Sequence, residues 1–180
     1  MSRKGNWMQT YTGRAFYPYD LRDEDFHIED IGHALSMLCR YGGHCRDFYC
    51  VAEHSVHVSY MVPREHALAG LMHDSTEAYL VDMPRPIKVG FPQYKDMEGK
   101  IWTHISRRFG LPLVLPKSVH AADAEILWHE MTALLHPVPA GHEWGMGSER
   151  PAILRPEIIR RWSPEKAKRK FMERFKGLTK

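Results

Sequence analysis

The sequence has few cysteines, no long apolar run and no leader-like N-terminus, and each absence excludes a class of protein. No apolar stretch approaches the roughly 18 residues that a membrane-spanning helix requires. Residues 1–6 (MSRKGN) lack the apolar region of a secretory signal, so we expect a cytoplasmic protein with no membrane partner. Cys39, Cys45 and Cys50 are odd in number and irregularly spaced, which argues against a disulfide framework and for reduced thiols.

The composition fits a folded domain that is unusually rich in histidine. The 180 residues are 43% hydrophobic and 26% charged, which predicts a single domain, residues 1–180, with one core. Twelve histidines are the compositional excess, and they indicate metal or proton chemistry. Their positions, rather than their number, must locate a site.

Apolar residues recur at helical spacing along most of the chain, so the sequence predicts an all-α fold. The expected helices cover residues 31–38, 50–61, 64–80, 94–109 and 117–135. Residues 5–19 are aromatic-rich and predict a short β-hairpin or an aromatic arm. Residues 136–151 are rich in proline and glycine, which indicates a long loop or a mobile lid.

The C-terminal residues 163–180 concentrate positive charge. They hold seven Lys or Arg against two Glu, within a chain whose formal charge is +3. Ser163 and Pro164 form a helix start, and Ala167, Phe171 and Phe175 follow at four-residue intervals. We expect a basic amphipathic helix packed on the domain; a nucleic-acid-binding arm is the alternative.

Ionisable residues occupy positions where apolar ones are expected. Asp123 has Val119, Ile126 and Leu127 as helical neighbours, and His54 has Val51 and Val58. We expect Asp123 to avoid water, because an unpaired buried charge costs several kcal/mol. Taken singly, each residue has a simpler interpretation as a hydrogen-bonded core group. The remaining members of the set follow the apolar run Leu71-Met72: His73, Asp74 and Glu77.

Taken together, these imidazoles and carboxylates predict a metal site built from three helices. Mixed nitrogen and oxygen ligands suit Zn²⁺, Mn²⁺, Fe²⁺, Co²⁺ or Ni²⁺, whereas Mg²⁺ and Ca²⁺ prefer oxygen. Arg40, Arg85 and Lys88 are candidate phosphate contacts, and Lys88 follows two prolines that stiffen its approach. A surface cation is the alternative interpretation for Lys88.

Four segments occur in a fixed order between residues 30 and 135. They are Ala52-Glu53-His54-Ser55, then Leu71-Met72-His73-Asp74-Ser75-Thr76-Glu77, then Asp82-Met83-Pro84-Arg85-Pro86-Ile87-Lys88, and Ala122-Asp123. This ordered set resembles the HD-domain phosphohydrolase superfamily. More narrowly, it resembles the small nucleotide-hydrolysing branch, the bacterial 5′-deoxynucleotidases and the short phage-type deoxynucleoside triphosphohydrolases. The resemblance implies an HD-domain helical bundle.

The resemblance also implies roles for individual residues. The metal ligands would be His54, His73, Asp74 and Asp123, with Mg²⁺ able to accompany the substrate phosphates. Glu77 would handle the proton of the attacking water, and Arg40 and Lys88 would counter the phosphate charge in catalysis. Arg40, Tyr41, Asp82 and Lys88 would contact the substrate. The order Arg40-Tyr41-Gly42-Gly43 departs from the family's Arg-Trp pair, which leaves the choice of nucleobase open.

Several functions stay open on the sequence alone. A dNTP triphosphohydrolase of the dATP type, releasing triphosphate, is slightly favoured over a 5′-deoxynucleotidase that releases orthophosphate from dNMPs. An HD nuclease or a cyclic-nucleotide phosphodiesterase would need further histidines, drawn from His33, His44 and His57. A non-catalytic nucleotide-binding or nucleic-acid-binding module is the alternative of another class. We expect a nucleotide partner and a homo-oligomer, and a nucleic-acid partner is disfavoured.

Overall fold

The computed structural model describes residues 3–145 and 148–180, and most of these residues are helical. The α-helices are α1 Ile28–Met37, α2 Val51–Met61, α3 Ala67–Met72, α4 Glu77–Leu80, α5 Arg85–Lys88, α6 Pro92–Phe109, α7 Lys117–Leu134 and α8 Pro164–Leu178. The predicted all-α fold is confirmed. Across the described part of the chain, none of these helices combines the length and the apolar character that a bilayer crossing demands.

The N-terminal aromatic segment forms a short hairpin. Strand β1 (Met8–Gln9) pairs antiparallel with β2 (Ala15–Phe16), and Met8 lies opposite Phe16. Phe16 is buried, with its ring centroid 4.4 Å from that of Tyr79 in α4. Of the two predicted forms the hairpin is therefore correct, because the buried Phe16 ring anchors the segment to the helices.

Helix α2 lies at the centre of the protein, in contact with α1, α3, α7 and α8. Its buried residues occur on nearly every side of the helix, as expected for a helix surrounded by others. One core cluster, which includes Val51 and Ile31, lies against one side, and a second, which includes Val58 and Ile126, lies against another. A polar side chain on α2 is therefore enclosed by default and needs a partner.

Helix α8 packs on the domain as its pattern predicts. Ser163 accepts a hydrogen bond from the backbone of Lys166 at the N-cap, and Pro164 occupies the first helical turn. Ala167 and Phe171 are fully buried, and α8 contacts α1, α2 and α3. The apolar face of α8 is thus used within the chain rather than left free as a binding arm.

One of the two remaining segments differs from the pattern of the sequence. The helix expected over residues 64–80 is divided into a 3₁₀ turn (Arg64–His66), α3 and α4, with residues 73–76 forming the turn between them. Residues 136–145 and 148–151 form a loop, as expected, and residues 146–147 lie outside the described part. Trp128 donates a hydrogen bond to Ser148 at 3.2 Å, which ties this loop to α7.

Candidate metal centre

Three helices bring the predicted ligands to one point. His54 lies on α2, His73 and Asp74 follow the end of α3, and Asp123 lies on α7. Helix α3 comes close to α2 at Gly70, where a Cβ atom would lie 3.3 Å from the Cα of Ser59. A larger residue at Gly70 would push the two helices apart, so this glycine allows the close approach that places His73 beside His54.

The donor atoms of the predicted ligands lie close to the two imidazole Nε2 atoms. The two Nε2 atoms of His54 and His73 are 3.3 Å apart. Asp123 Oδ1 lies 3.1 Å from His54 Nε2 and 3.7 Å from His73 Nε2, and Asp74 Oδ2 lies 3.5 Å and 3.2 Å from the same atoms. Ligands about 2.0–2.1 Å from an ion at tetrahedral or right angles are about 2.8–3.4 Å apart. His54, His73 and Asp123, whose donor atoms all lie within 4.8 Å of one another, could therefore hold one divalent ion, and Asp74 lies beside both imidazoles.

Hydrogen bonds at the far side of each ring orient both imidazoles. His54 Nδ1 donates to Glu130 Oε1 at 2.6 Å, and His73 Nδ1 donates to the Gly70 carbonyl oxygen at 2.9 Å. With Nδ1 carrying the proton, the Nε2 lone pairs of the neutral rings point at each other. Two lone pairs 3.3 Å apart need a positive charge between them, and this second layer of hydrogen bonds is typical of metal-binding histidines.

The charges around the two imidazole rings also favour a positive charge between them. Burial works against a charged imidazole, but the carboxylates of Asp74 and Asp123 outweigh it and raise the pKa of His73 well above its usual value. Burial likewise disfavours the Asp74 carboxylate, yet the neighbouring His73 and His54 lower its pKa to about 2. The cluster thus stabilises positive charge at the point where the four side chains meet.

Asp123 is more open to water than its apolar neighbours predict. Its side chain is 40% exposed, whereas that of His54 is fully buried. The expectation that Asp123 avoids water is therefore wrong. Its neighbours at three and four residues enclose only one side of it, and the other side is open to water. This opening gives a dissolved ligand access to the cluster.

Glu130 is absent from the predicted site and lies directly behind the His54 ring, on its Nδ1 side. Its fully buried carboxylate accepts hydrogen bonds from His54, from Tyr41 at 2.6 Å and from Tyr49 at 2.9 Å. Burial disfavours its charge, but Arg40 and His54 lower its pKa to about 2. Glu130 follows Asp123 by seven residues, on the same apolar face of α7. Like Asp123, Glu130 is an ionisable residue with apolar neighbours at helical spacing. The same pattern could therefore have identified it from the sequence.

Arg40 and Tyr41 lie beside the cluster, but both are engaged by carboxylates. Arg40 is almost fully buried, with NH1 3.6 Å from Asp74 Oδ2 and Nε 3.3 Å from Glu130 Oε2. Tyr41 has a positive φ of 57° and donates its hydroxyl hydrogen to Glu130. The expected guanidinium is therefore near the ion site, held by Asp74 and Glu130.

Glu77 is a buried carboxyl group that lacks a full set of partners. Its Oε2 atom has no hydrogen-bond partner within residues 3–145 and 148–180. Burial, followed by the charges of Asp74 and Asp82, raises the pKa of Glu77 well above its usual value. A buried carboxyl group with a raised pKa and a free oxygen is a candidate for proton transfer.

The segment after α4 carries Asp82 and Lys88. Burial raises the pKa of Asp82. The charges of Arg40 and Asp74 also affect this pKa, so Asp82 lies close to the cluster. Lys88 donates a hydrogen bond to Glu98 at 2.6 Å. Lys88 is thus paired with a carboxylate rather than free at the mouth of the site.

Two of the three histidines considered for a second ion have other neighbours. His33 stacks on Tyr11 with ring centroids 3.7 Å apart, and His57 lies 5.5 Å from the ring of Trp162. Among the residues whose positions are described, the only cluster of three or more potential ligands is His54, His73 and Asp123. The described residues therefore bring together the ligands for one ion.

Two proteins match nearly the whole chain. The chain is 39% identical over 174 residues to the uncharacterized protein YfdR of Escherichia coli (strain K12), covering 97% of this chain and 96% of that protein. It is 30% identical over 185 residues to the uncharacterized protein RCAP_rcc00048 of Rhodobacter capsulatus, covering 95% and 94%. No family model matches the chain. At this identity and coverage, the chain belongs to the same protein family as Escherichia coli YfdR and the Rhodobacter capsulatus protein.

Proposed function

We propose that the protein is a metal-dependent phosphohydrolase with an HD-type fold that acts on nucleoside 5′-phosphates. The observation that carries the proposal is the meeting of two imidazole Nε2 atoms and two carboxylates, with both Nδ1 atoms held by acceptors. The nucleoside part of the substrate rests on the resemblance of the ordered motifs to that superfamily.

His54, His73, Asp74 and Asp123 would hold the ion, which we expect to be Zn²⁺, Mn²⁺, Co²⁺, Fe²⁺ or Ni²⁺ because of the mixed donor set. When bound, such an ion would supply Lewis acidity, lowering the pKa of water and offsetting negative charge on a phosphoryl group. The partial exposure of Asp123 leaves one side of the cluster open to substrate.

Glu77 is the best candidate for moving the proton of the attacking water. Its Oε2 atom has no hydrogen-bond partner in the described residues, and its pKa is raised by burial and by the neighbouring acids. A general acid or base works best when its pKa lies close to the working pH. Glu77 would thus orient the water and take its proton, and then return that proton to the leaving group.

The balance of charge around the cluster favours a small phosphate group. Arg40 is matched by Asp74 and Glu130, and Lys88 is matched by Glu98. A triphosphate needs several unpaired cations, whereas a monophosphate can be neutralised by the ion itself. This balance supports the nucleotidase, while the slight preference from the sequence is for the triphosphohydrolase.

The identity of the phosphate-containing product distinguishes the nucleotidase from the triphosphohydrolase. The protein would be incubated with Mn²⁺ or Co²⁺ and with each dNMP and dNTP, and the anion released would be identified by ³¹P NMR. We expect orthophosphate from a dNMP, and a triphosphate product would instead identify the triphosphohydrolase. Unchanged hydrolysis after chelation would exclude the metal-dependent reaction, and so would a total lack of hydrolysis with every metal and nucleotide.

Single substitutions test the proposed roles of Asp123 in metal binding and of Glu77 in proton transfer. We expect Asp123→Ala to lose metal, as measured by elemental analysis, together with activity. Glu77→Gln should keep the metal and lose most of its turnover, because the amide cannot take a proton. Glu125→Gln is the matched control, since Glu125 is exposed on α7. Normal turnover in Glu77→Gln would mean that another group handles the proton.

A further inference from the structure

A cavity of about 490 Å³ lies between α2, α8 and the segment that precedes α8. Aromatic and basic side chains dominate its wall, including His57, Tyr60, Arg160, Trp162, Lys170 and Arg174. None of the residues that line it belongs to the metal cluster. The volume falls within the range of about 300–1,000 Å³ that is typical of small-molecule sites.

A buried carboxylate fixes the turn that forms one wall. Glu53 is fully buried and accepts hydrogen bonds from the backbone N–H groups of Arg160, Arg161 and Trp162, at 2.6, 3.0 and 2.5 Å. Arg161 has a φ of 54°, a conformation that is strained for a non-glycine residue. Glu53 offsets this strain and places Arg160 and Trp162 on the wall of the cavity.

The opposite wall presents a guanidinium group that is held in place. Arg174 donates hydrogen bonds to the Ser59 hydroxyl at 3.0 Å and to the Ser59 carbonyl oxygen at 2.8 Å. Its guanidinium carbon lies 3.8 Å from the centre of the Tyr60 ring. Because these contacts already restrict the side chain, a ligand that binds Arg174 loses little additional conformational entropy.

The cavity wall carries more positive than negative charge. Arg160, Lys170 and Arg174 face a single carboxylate, Glu173, which pairs with Lys170 at 2.9 Å. Arg160 and Arg174 form no ion pair within residues 3–145 and 148–180. Two guanidinium groups without a carboxylate suit an anion such as phosphate, and the rings of Trp162 and Tyr60 suit a planar group.

We propose that this cavity binds a small anion that carries a planar ring, of the aromatic phosphate class. The anionic group would meet Arg160 and Arg174, and the ring would pack on Trp162. This inference does not depend on the proposed hydrolase activity, because the two sites share no residue.

Calorimetric titration of the 180-residue chain with AMP tests the proposal. The Asp123→Ala background keeps the metal cluster from acting on the probe. Inorganic phosphate supplies the anion alone, and adenosine supplies the ring alone. We expect AMP to bind at least about tenfold more tightly than either. Removal of one charged hydrogen-bond donor by Arg160→Ala should weaken AMP binding by about tenfold or more.

Two further variants keep the result interpretable. Lys170→Ala removes a second cation from the cavity wall and should also weaken AMP binding. Lys100→Ala removes an exposed lysine of α6, outside the cavity, and should leave binding unchanged. The proposal is overturned if AMP does not bind, or if Arg160→Ala and Lys170→Ala bind AMP as the Asp123→Ala background does. Equal affinities for phosphate and AMP would overturn the role of the ring.

Discussion

Replacement of Glu130 by glutamine should destabilise the protein by an amount that depends on pH. The substitution keeps the shape of the side chain but removes the negative charge that faces Arg40 and His54. The pKa of Glu130 falls from 4.5 to about 2 in the folded chain, and each pKa unit corresponds to about 1.4 kcal/mol. The charge thus contributes about 3 kcal/mol at neutral pH, similar to the loss on breaking a buried ion pair.

The sign of the pH dependence follows from the direction of this shift. Because the folded-state pKa of Glu130 is lowered, its contribution is complete above about pH 4.5, declines as the pH falls, and is lost near pH 2. At pH 7 we expect the melting temperature of Glu130→Gln to be about 6–12 °C lower than that of the wild type. Near pH 2 the two proteins should have similar stabilities.

Calorimetry and urea denaturation between pH 7 and pH 2 measure this difference. Glu125→Gln makes the same chemical change at an exposed position of α7 and should shift the stability by less than about 0.5 kcal/mol. The reasoning is refuted if Glu130→Gln unfolds like this control, or if its deficit stays constant down to pH 2. Because Glu130 also holds the His54 ring, we further expect metal affinity to fall by about 10–100-fold.

Three other changes test local parts of the fold. Glu53→Gln should lower the stability by about 2 kcal/mol, since it weakens charge-assisted bonds to three backbone amides, and should speed hydrogen exchange of the amides at residues 160–162. Ser163→Ala removes the N-cap of α8 and should cost about 1 kcal/mol in urea denaturation. Val81→Gly should raise the melting temperature, because Val81 has a φ of 71° and its strain exceeds the entropic cost of glycine.

Much of the helical structure follows from local sequence. Apolar residues at three- and four-residue spacing mark α2, α6, α7 and α8 to within about two residues of their ends. Ser163 and Pro164 mark the start of α8 because capping depends on adjacent residues alone. The break after α3 was not marked, since the apolar stripe of residues 64–80 runs through it.

The candidate ligands were also recognisable from sequence, because each is a polar residue within an apolar stretch or a known ordered motif. The contacts that each of these residues makes in the folded protein were not recognisable from the sequence. Glu130 lies 76 positions from His54, and no local pattern indicates that the two side chains touch. The pairing of Lys88 with Glu98 is likewise hidden, since either residue alone resembles an ordinary surface charge.

The sequence by itself therefore determines the helices and the types of ligand that they carry. Only the tertiary structure decides that α2, α3 and α7 meet at one point, that Glu130 orients the His54 ring, and that Asp123 borders water. The physical reason is the separation along the sequence of the residues that interact. Helix formation depends on residues within a few positions of one another, whereas hydrogen bonds between helices depend on how closely distant segments pack.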